Sequence, residues 1–529
     1  MVSVILNNNK IHRWNQFPFG YVKGFAFMEN TLLSEEEIYS SCVDAYNNNR
    51  LGTFLHQLNG HFSIVLTIGT ETILIADKLK TYPLFYFQAE DLLFVTDTAD
   101  NVLNKIPTIK LNSLSVKEYL SAGYVSENNT LLDGCQIVSA STYVRIVNNQ
   151  ATEKRYYSQH LLSTSQPSGS LNATVTSILE SVMFRMSKVV QDRTIVIPLS
   201  AGYDSRLIAC LCKKYQFKKV ICFTYGIKNS PEVEVSRKVA KQLSFPWYNI
   251  EYTKEKWEKL ISSSVFEDYM RYGGNLNTIP HIQDFLAITE LLDKKLIPTD
   301  SVIVPGHTGD VIGGSHFPHD ITPNSIGYKL FEKYFEVNLL KRKYQEEIIQ
   351  YLNQSVHNYF PIDSEEKSLQ AFHLWNIRNR QANFIVNSVR AYELHNLDWY
   401  LPLWDDEFEQ IWNALPCKTR VGSKLYNDLL FEEYFRPYKV DFYKPVSEVQ
   451  LSLPKRIARK LFPARQRYIL KEIGFKLNLY KFKKDRNALD IVGTLIEQKD
   501  FNKKNSYILF SKPNSMCMKS LFYLSLLHK

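Results

Sequence analysis

Ser200, Asp204 and Ser205 are the residues of this chain whose types and spacing are best suited to chemistry. They sit in Ser200-Ala201-Gly202-Tyr203-Asp204-Ser205, a small, polar break after the apolar run Thr194 to Leu199. Leu207, Ile208, Leu211 and Tyr215 then recur at helical spacing, and a second apolar run, Val220 to Thr224, follows. The pattern predicts strand, loop, helix, strand, with the two strands parallel and buried on both faces. A loop that opens a helix gathers unpaired backbone N–H groups, which suit a phosphate or pyrophosphate. The Ser200 and Ser205 hydroxyls can donate to phosphate oxygens, and Asp204 can hold the accompanying Mg2+. The chain has no G-x-x-x-x-G-K-[ST], so this is not the common phosphate loop.

The stretch resembles the Ser-Gly-Gly-x-Asp-Ser loop of the PP-loop ATP pyrophosphatases, which cleave ATP between its α and β phosphates. Ala201 replaces the first Gly, a change that is harmless where φ is negative. Ser301 to Val304 reads as another buried strand, and it delivers Gly306, His307 and Asp310 to the place where open α/β sheets bind ligands. Its continuation, Pro305 to Gly314, is similar to the G-E-G-S-D-E-x-x-G-G motif of asparagine synthetases. That resemblance puts Asp310 on the second Mg2+ aspartate and His307 on an acidic position near the acyl-adenylate. Val311 falls on a second Glu, which β-lactam synthetases also lack. The resemblance further implies that Leu199, Phe223, Thr224 and Gly226 frame adenine and ribose. Ala201, Gly202 and Gly306 join the nucleotide-binding set.

More of the chain carries the likeness. Leu58-Asn59-Gly60-His61-Phe62 and Asp77 to Tyr86 look like the L-[DN]-G-x-F and D-x-x-G-x-x-P-L-Y-Y segments of the glutaminase domain of asparagine synthetases. That family releases ammonia with an N-terminal Cys, whereas this chain begins Met1-Val2-Ser3 and its first Cys is Cys42, inside a predicted helix. Lys23 to Met28 stands where the family has its glutamine-binding Asn-Gly-Glu. The resemblance therefore implies the scaffold without the glutaminase chemistry; Ser3 would serve as nucleophile only after removal of two residues. Downstream, Asn387 to Arg390 and Leu401 to Asp405 resemble S-x-E-x-R-x-P-F-L-D, and Asn413 to Pro416 and Ser423 to Tyr426 follow in like manner. Lys439 and Lys444 are candidates for the family's catalytic Lys, with the spacing favouring Lys444.

These residues need an α/β scaffold. Short apolar runs punctuated by Gly and Asp in residues 1–157 predict a β-rich domain built as a meander of hairpins, with helices over Glu35 to Tyr46 and Val116 to Ser121. By resemblance it is an Ntn-hydrolase-like α-β-β-α domain. A Ser-rich linker, Ser158 to Ser170, leads to a PP-loop parallel-sheet domain over 171–450 with helical additions, and a basic helical extension fills 451–529. At 529 residues the chain exceeds one core. Its 45 % hydrophobic and 22 % charged residues exclude global disorder. The seven Cys show no metal spacing, so zinc and disulfides are not expected. No signal peptide or membrane span is predicted, which makes the cytoplasm the expected address. Lys455 to Lys529 holds 18 Lys and Arg against 5 Asp and Glu. Such a tail suits the anionic inner face of a membrane, while nucleic acid is not an expected partner.

The reading is an ATP- and Mg2+-dependent ligase of asparagine synthetase type. It would adenylate a small-molecule, peptide or sugar carboxylate and transfer the acyl group to ammonia or another amine. The rival readings are a PP-loop enzyme acting on RNA and a silent nucleotide-binding scaffold. The first would need a catalytic Cys pair, and the second would have lost the Asp204 and Asp310 pair that this chain keeps.

Overall fold

Alternating apolar residues in the first 157 positions form two stacked sheets. The computed structural model describes residues 2–9, 11–157, 170–336, 339–443, 489–500, 502–503, 505–508 and 515–527. The strands are β1 (Val2–Ile5), β2 (Asn15–Phe17), β3 (Gly20–Met28), β4 (Thr31–Leu33), β5 (Leu58–Ile68), β6 (Glu71–Ala76), β7 (Phe85–Ala89), β8 (Leu92–Thr96), β9 (Cys135–Ile137), β10 (Thr142–Val147) and β11 (Gln150–Arg155). One sheet runs β2-β3-β5-β6-β10-β11, with β4 beside β3, and the other runs β1-β8-β7-β9. Val65, Leu74, Val95 and Val144 fill the space between them. The helix Glu35–Asn47 covers the outer face of the first sheet through Ile38 and Cys42. Ser34 and Glu37 start it with a reciprocal capping box.

This is an α-β-β-α sandwich, but two local expectations needed correction. The strands do not form one meander: they divide between two sheets, β1 pairs in parallel with β8, and β10 returns to pair with β6. The run Tyr82 to Phe87 is a strand only from Phe85, because Pro83 cannot donate to a ladder.

The second domain is built on a five-stranded parallel sheet in the order β14-β13-β12-β15-β16. Its strands are β12 (Ile195–Pro198), β13 (Val220–Gly226), β14 (Trp247–Glu251), β15 (Val302–Ile303) and β16 (Asp398–Trp399). β12 lies at the centre, with β13 on one side and β15 on the other. Strand order thus reverses beside β12, the point at which open α/β sheets leave a crevice at their carboxyl ends. The edge strand β16 is two residues long and has no sequence signal of its own.

Motif residues hold the two domains together. Arg185 pairs with Asp405 through two bonds of 2.8 Å, and Asn59 Nδ2 donates to the same carboxylate at 3.0 Å. Lys78 Nζ pairs with Asp406, and Arg390 donates to Glu393 and to the Thr81 carbonyl. Breaking such a buried pair from one side leaves an uncompensated charge, so these contacts fix one docking of the domains. The described tail helices, Leu489–Glu497 and Ser515–Leu526, pack against helices of both domains. The Ser-rich stretch from 158 to 169, Lys444, and the basic run from 455 to 488 lie outside the described residues. Among the described residues no helix is long and apolar enough to cross a membrane.

Candidate active site

Leu199 to Gly202 leaves the end of β12 and turns into the helix Tyr203–Lys214, whose N-cap is Gly202 in extended backbone. Ala201 does not adopt a positive φ, so its Cβ is tolerated where the related motif has Gly. The loop is held by its own hydroxyls: Ser200 N–H donates to Ser205 Oγ at 3.2 Å, and Gly202 N–H to Ser200 Oγ at 3.0 Å. Each hydroxyl thus accepts from the backbone, and the two share a hydrogen bond of 3.2 Å, so in this arrangement one proton is used between them and the other is left to donate outward. Arg206 braces the loop from below, donating to the Ala201 carbonyl at 3.1 Å and to the Val440 carbonyl at 2.9 Å.

The loop after β15 packs face to face with the first. A Cβ on Gly306 would lie 2.3 Å from the backbone nitrogen of Ser205, so only Gly permits this approach. Asp310 N–H donates to Asp204 Oδ2 at 2.9 Å, and Tyr426 OH donates to Asp204 Oδ1 at 3.0 Å. The Asp310 side chain is 45 % exposed; its Oδ2 accepts from Ser315 OH at 3.0 Å and lies 3.9 Å from His316 Nε2. Thr308, left-handed at φ 76°, donates to Gln381 Oε1 at 3.0 Å. Gln381 belongs to the π-helical segment Asn376–Ile385, which runs along the back of the site.

Between the loops is a cavity of about 310 Å³. Leu199, Ser200, Ser205, Phe223, Thr224, Gly306 and His307, all named from the sequence, line it. Ala201, Gly202 and Gly226 do not, and Asp204 and Asp310 meet beside it rather than in its wall. The lining also includes Ser388, from the Asn387 to Arg390 segment, and His281 and Asp284, which carried no recognisable sequence signal. Asp284 accepts from Tyr225 OH at 2.5 Å and from Tyr392 OH. His307 lies 3.4 Å from Ser388 Oγ through Nε2, and its Nδ1 is buried without a partner. Burial pushes its pKa down to about 4, against the Asp284 charge that raises it, with His281 adding to the fall. The imidazole is therefore neutral across the physiological range. An open cleft of about 540 Å³ lies between Phe217, Lys218, Lys219 and Pro246, but its lining includes neither loop and no carboxylate.

Tyr426 was reachable from the sequence only as a neighbour of Lys424, and the structure exchanges their importance. Lys424 points to solvent in an ion pair with Asp428, while Tyr426 reaches Asp204. Lys439 is exposed. Tyr443 stacks on Phe431 at 5.1 Å, which in turn contacts Tyr203 beside the loop, so the chain before Lys444 runs along the site.

Asp204 and Asp310 suit magnesium: it takes one or two carboxylates and completes its shell with phosphate oxygens and water. Among the described residues no cluster of three or more His, Cys, Asp or Glu offers a closed protein-only metal cage.

Comparison with known proteins agrees with this architecture. An asparagine synthase profile matches residues 178–430, and a glutamine amidotransferase domain profile matches residues 42–157. The chain is 21 % identical over 447 residues to the glutamine-hydrolysing asparagine synthetase of Gallus gallus, spanning 81 % of this chain and 67 % of that protein. An NH3-dependent NAD synthetase from Campylobacter jejuni, determined with a nitrate ion, overlaps at a TM-score of 0.20 with 16 % identity, covering 35 % of this chain and 75 % of that one. The glutamine phosphoribosylpyrophosphate amidotransferase of B. subtilis overlaps at 0.19 with 9 % identity, over 57 % and 64 % of the two chains. Both overlaps are too loose to bear on the site. With an amidotransferase-type sandwich joined to an asparagine-synthase-like domain whose two loops meet at Asp204 and Asp310, the chain is similar to the asparagine synthetases in both of its parts.

Proposed function

We propose that this chain is an ATP-dependent carbon–nitrogen ligase that adenylates a carboxylate and passes the acyl group to ammonia or another amine. The observation that carries the reading is the face-to-face packing of the two strand-end loops. It sets the Ser200 and Ser205 hydroxyls in the wall of one cavity and brings Asp204 and Asp310 together beside it. In the first half-reaction a carboxylate oxygen of the substrate attacks the α-phosphorus and the bond to pyrophosphate breaks. Ser200 and Ser205 donate to phosphate oxygens, and Leu199, Phe223 and Thr224 bound the nucleoside. Asp204 and Asp310 would hold Mg2+, which neutralises charge on the phosphates. In the second half-reaction an amine attacks the acyl carbon, AMP leaves, and the nitrogen sheds a proton. Lys444 keeps its candidacy as a cation on the departing phosphates. ATP–pyrophosphate exchange against a panel of amino-acid, peptide and sugar carboxylates tests the reading. Exchange that depends on one carboxylate class is expected; exchange with none would favour a binding protein instead.

The nitrogen does not come from this chain's own hydrolysis of glutamine. All seven cysteines are buried, and burial raises the Cys42 thiol far above its ordinary pKa. In the N-terminal sandwich, Asp97 is engaged by Trp14 Nε1 at 2.7 Å, by the Asn7 N–H at 2.9 Å and by Lys23 Nζ at 3.3 Å. Purified protein incubated with glutamine should release glutamate at background rate only, with ammonium supporting any amide formation. Glutamate release well above background, scaling with enzyme, would overturn this.

His307 is the proposed proton acceptor of the second half-reaction. General-base assistance is worth about 10²–10⁴-fold. His307→Gln should keep pyrophosphate exchange and lose amide formation by a factor toward the lower end of that range, because a base with a pKa of about 4 is a weak proton acceptor. Because burial lowers its pKa to about 4, His307 stays unprotonated above that value. The acid limb of the wild-type amide-forming rate should therefore lie near pH 4, not near neutrality. Equal loss of both half-reactions in the Gln variant would reassign His307 to binding.

A further inference from the structure

Five arginines among the described residues are at least nine-tenths buried: Arg185, Arg206, Arg378, Arg390 and Arg420. Four of them donate at least twice. Arg185 binds Asp405 and Glu407, Arg206 binds backbone carbonyls, Arg390 binds Glu393 and the Thr81 carbonyl, and Arg420 binds the Ile312 carbonyl and Asn413. Arg378 differs. Its Nε and Nη1 are buried without any hydrogen-bond partner, and among the described residues it has no ion pair. A guanidinium cannot relieve this by losing its proton. Buried charges are ordinarily paired, and an unsatisfied buried donor in a native structure points to a missing water or ion.

The surroundings of Arg378 say which. Its guanidinium stands 5.4 Å from the centroid of the Tyr359 ring. Arg155, at the end of β11 in the other domain, approaches the same ring to 5.1 Å and likewise has no ion pair among the described residues. The carboxylates that act on Arg155 are Glu127 and Glu153. Glu127 Oε1 is already occupied by Tyr359 OH at 2.8 Å, Asn379 Nδ2 at 3.3 Å and Ser355 OH, and Glu153 accepts from Ser139 OH at 2.9 Å. Two cations from different domains therefore share one aromatic ring with no counter-ion bonded to either. A water would satisfy a donor but would bring no negative charge into contact with either guanidinium.

We propose that Arg155, Tyr359 and Arg378 form a binding site for a small oxyanion, a phosphate or a carboxylate, at the seam between the two domains. The site is separate from the nucleotide cavity, since none of the three lines it. It is nevertheless connected to it. Arg378 lies in the same π-helical segment as Gln381, which holds Thr308 of the second loop, and Asn379, which holds Glu127 of the first domain. An anion here would brace that segment from behind.

The test uses the full chain in thermal melts at fixed ionic strength, with chloride replaced stepwise by phosphate and, separately, by acetate. The wild type should show a saturable rise in melting temperature with one of them, and the more potent identifies the ligand as phosphate or carboxylate in kind. Ser205→Ala, which alters the nucleotide loop, should keep the response. Arg378→Gln should lose it, its half-saturating concentration rising at least about ten-fold, as expected when one partner of a charge-assisted contact is removed. In chloride alone Arg378→Gln should be as stable as the wild type or more so, because an unpaired buried charge is gone. Arg155→Gln, at an exposed strand edge, provides a second variant with no core to disturb and should weaken the response by about ten-fold. An unsaturable rise in the wild type, or the same saturable rise in both variants, would overturn the site.

Discussion

Asp310→Ala should reduce carboxylate-dependent pyrophosphate release from ATP by about 10³-fold or more while leaving the fold intact. The rate effect follows from losing one of two carboxylates beside the phosphate loop, where several kcal/mol of charge stabilisation are at stake. The small stability effect follows from position. The Asp310 side chain is about half exposed, its one hydrogen bond is to Ser315, and its backbone N–H, the strut to Asp204, survives the substitution. Asp204→Ala should abolish activity to a similar degree but also destabilise, by about 1–3 kcal/mol for each buried donor left unsatisfied. Those donors are Asp310 N–H and Tyr426 OH. From its polar strand-end loop, Asp204 could be expected to tolerate replacement cheaply; the structure makes it a brace between two loops as well. Exchange assays paired with thermal melts separate the two roles. Near-normal pyrophosphate release by Asp310→Ala would remove it from the chemistry.

The second large effect concerns Lys80. It is 6 % exposed in the wall of a cavity of about 20 Å³ between the domains, with Nζ donating to Asn383 Oδ1 at 2.6 Å. Its backbone is left-handed at φ 55°, at the position where the related D-x-x-G segment has Gly. Burial lowers its pKa from 10.5 to about 7. Below pH 7 both the folded and unfolded chains carry the proton, and the folded state bears the full cost of a buried charge. As pH rises from about 7 to about 10.5 the folded chain gives up the proton before the unfolded chain does, so stability rises through that window. The whole effect is at most about 4–5 kcal/mol at 1.36 kcal/mol per unit. Lys80→Met keeps the length and removes the charge, so at pH 7 it should be more stable than the wild type by about 2–4 kcal/mol after loss of the Asn383 bond. The difference between the two proteins, followed by denaturant unfolding from pH 7 to pH 10, should shrink steadily. Parallel stability profiles would show that Lys80 is not buried as a titrating amine.

Much of the fold and half of the site were legible because they rest on local chemistry. β12, the turn at Ser200 and the helix after it announce themselves through apolar runs, small residues and helical spacing within about thirty residues. β13 and β15 do so in the same way, and parallel strands buried on both faces leave little choice of sheet. Ser200, Ser205, Gly306 and His307 could therefore be placed on one cavity wall from sequence. The packing of Gly306 onto Ser205 depends on sheet order, which a linear reading does not contain.

Other residues took their roles from long-range proximity alone. Asn59, Lys78 and Asp405 lie in segments that resemble family signatures, and the structure shows what they hold: the seam between two domains, across separations of more than 200 residues. Asp284 and His281 reach the site from a stretch that matched no signature, and Tyr426, though it ends the Ser423 to Tyr426 segment, takes its role from its bond to Asp204. The neutrality of His307 and the near-neutral amine of Lys80 are consequences of burial, which the residue type cannot reveal. The sequence alone determined which groups this protein has for holding a nucleotide and in what local order. Only tertiary structure decided which strand-end loops meet and which charges lose their water, because both depend on chain segments that are neighbours in space and far apart in sequence.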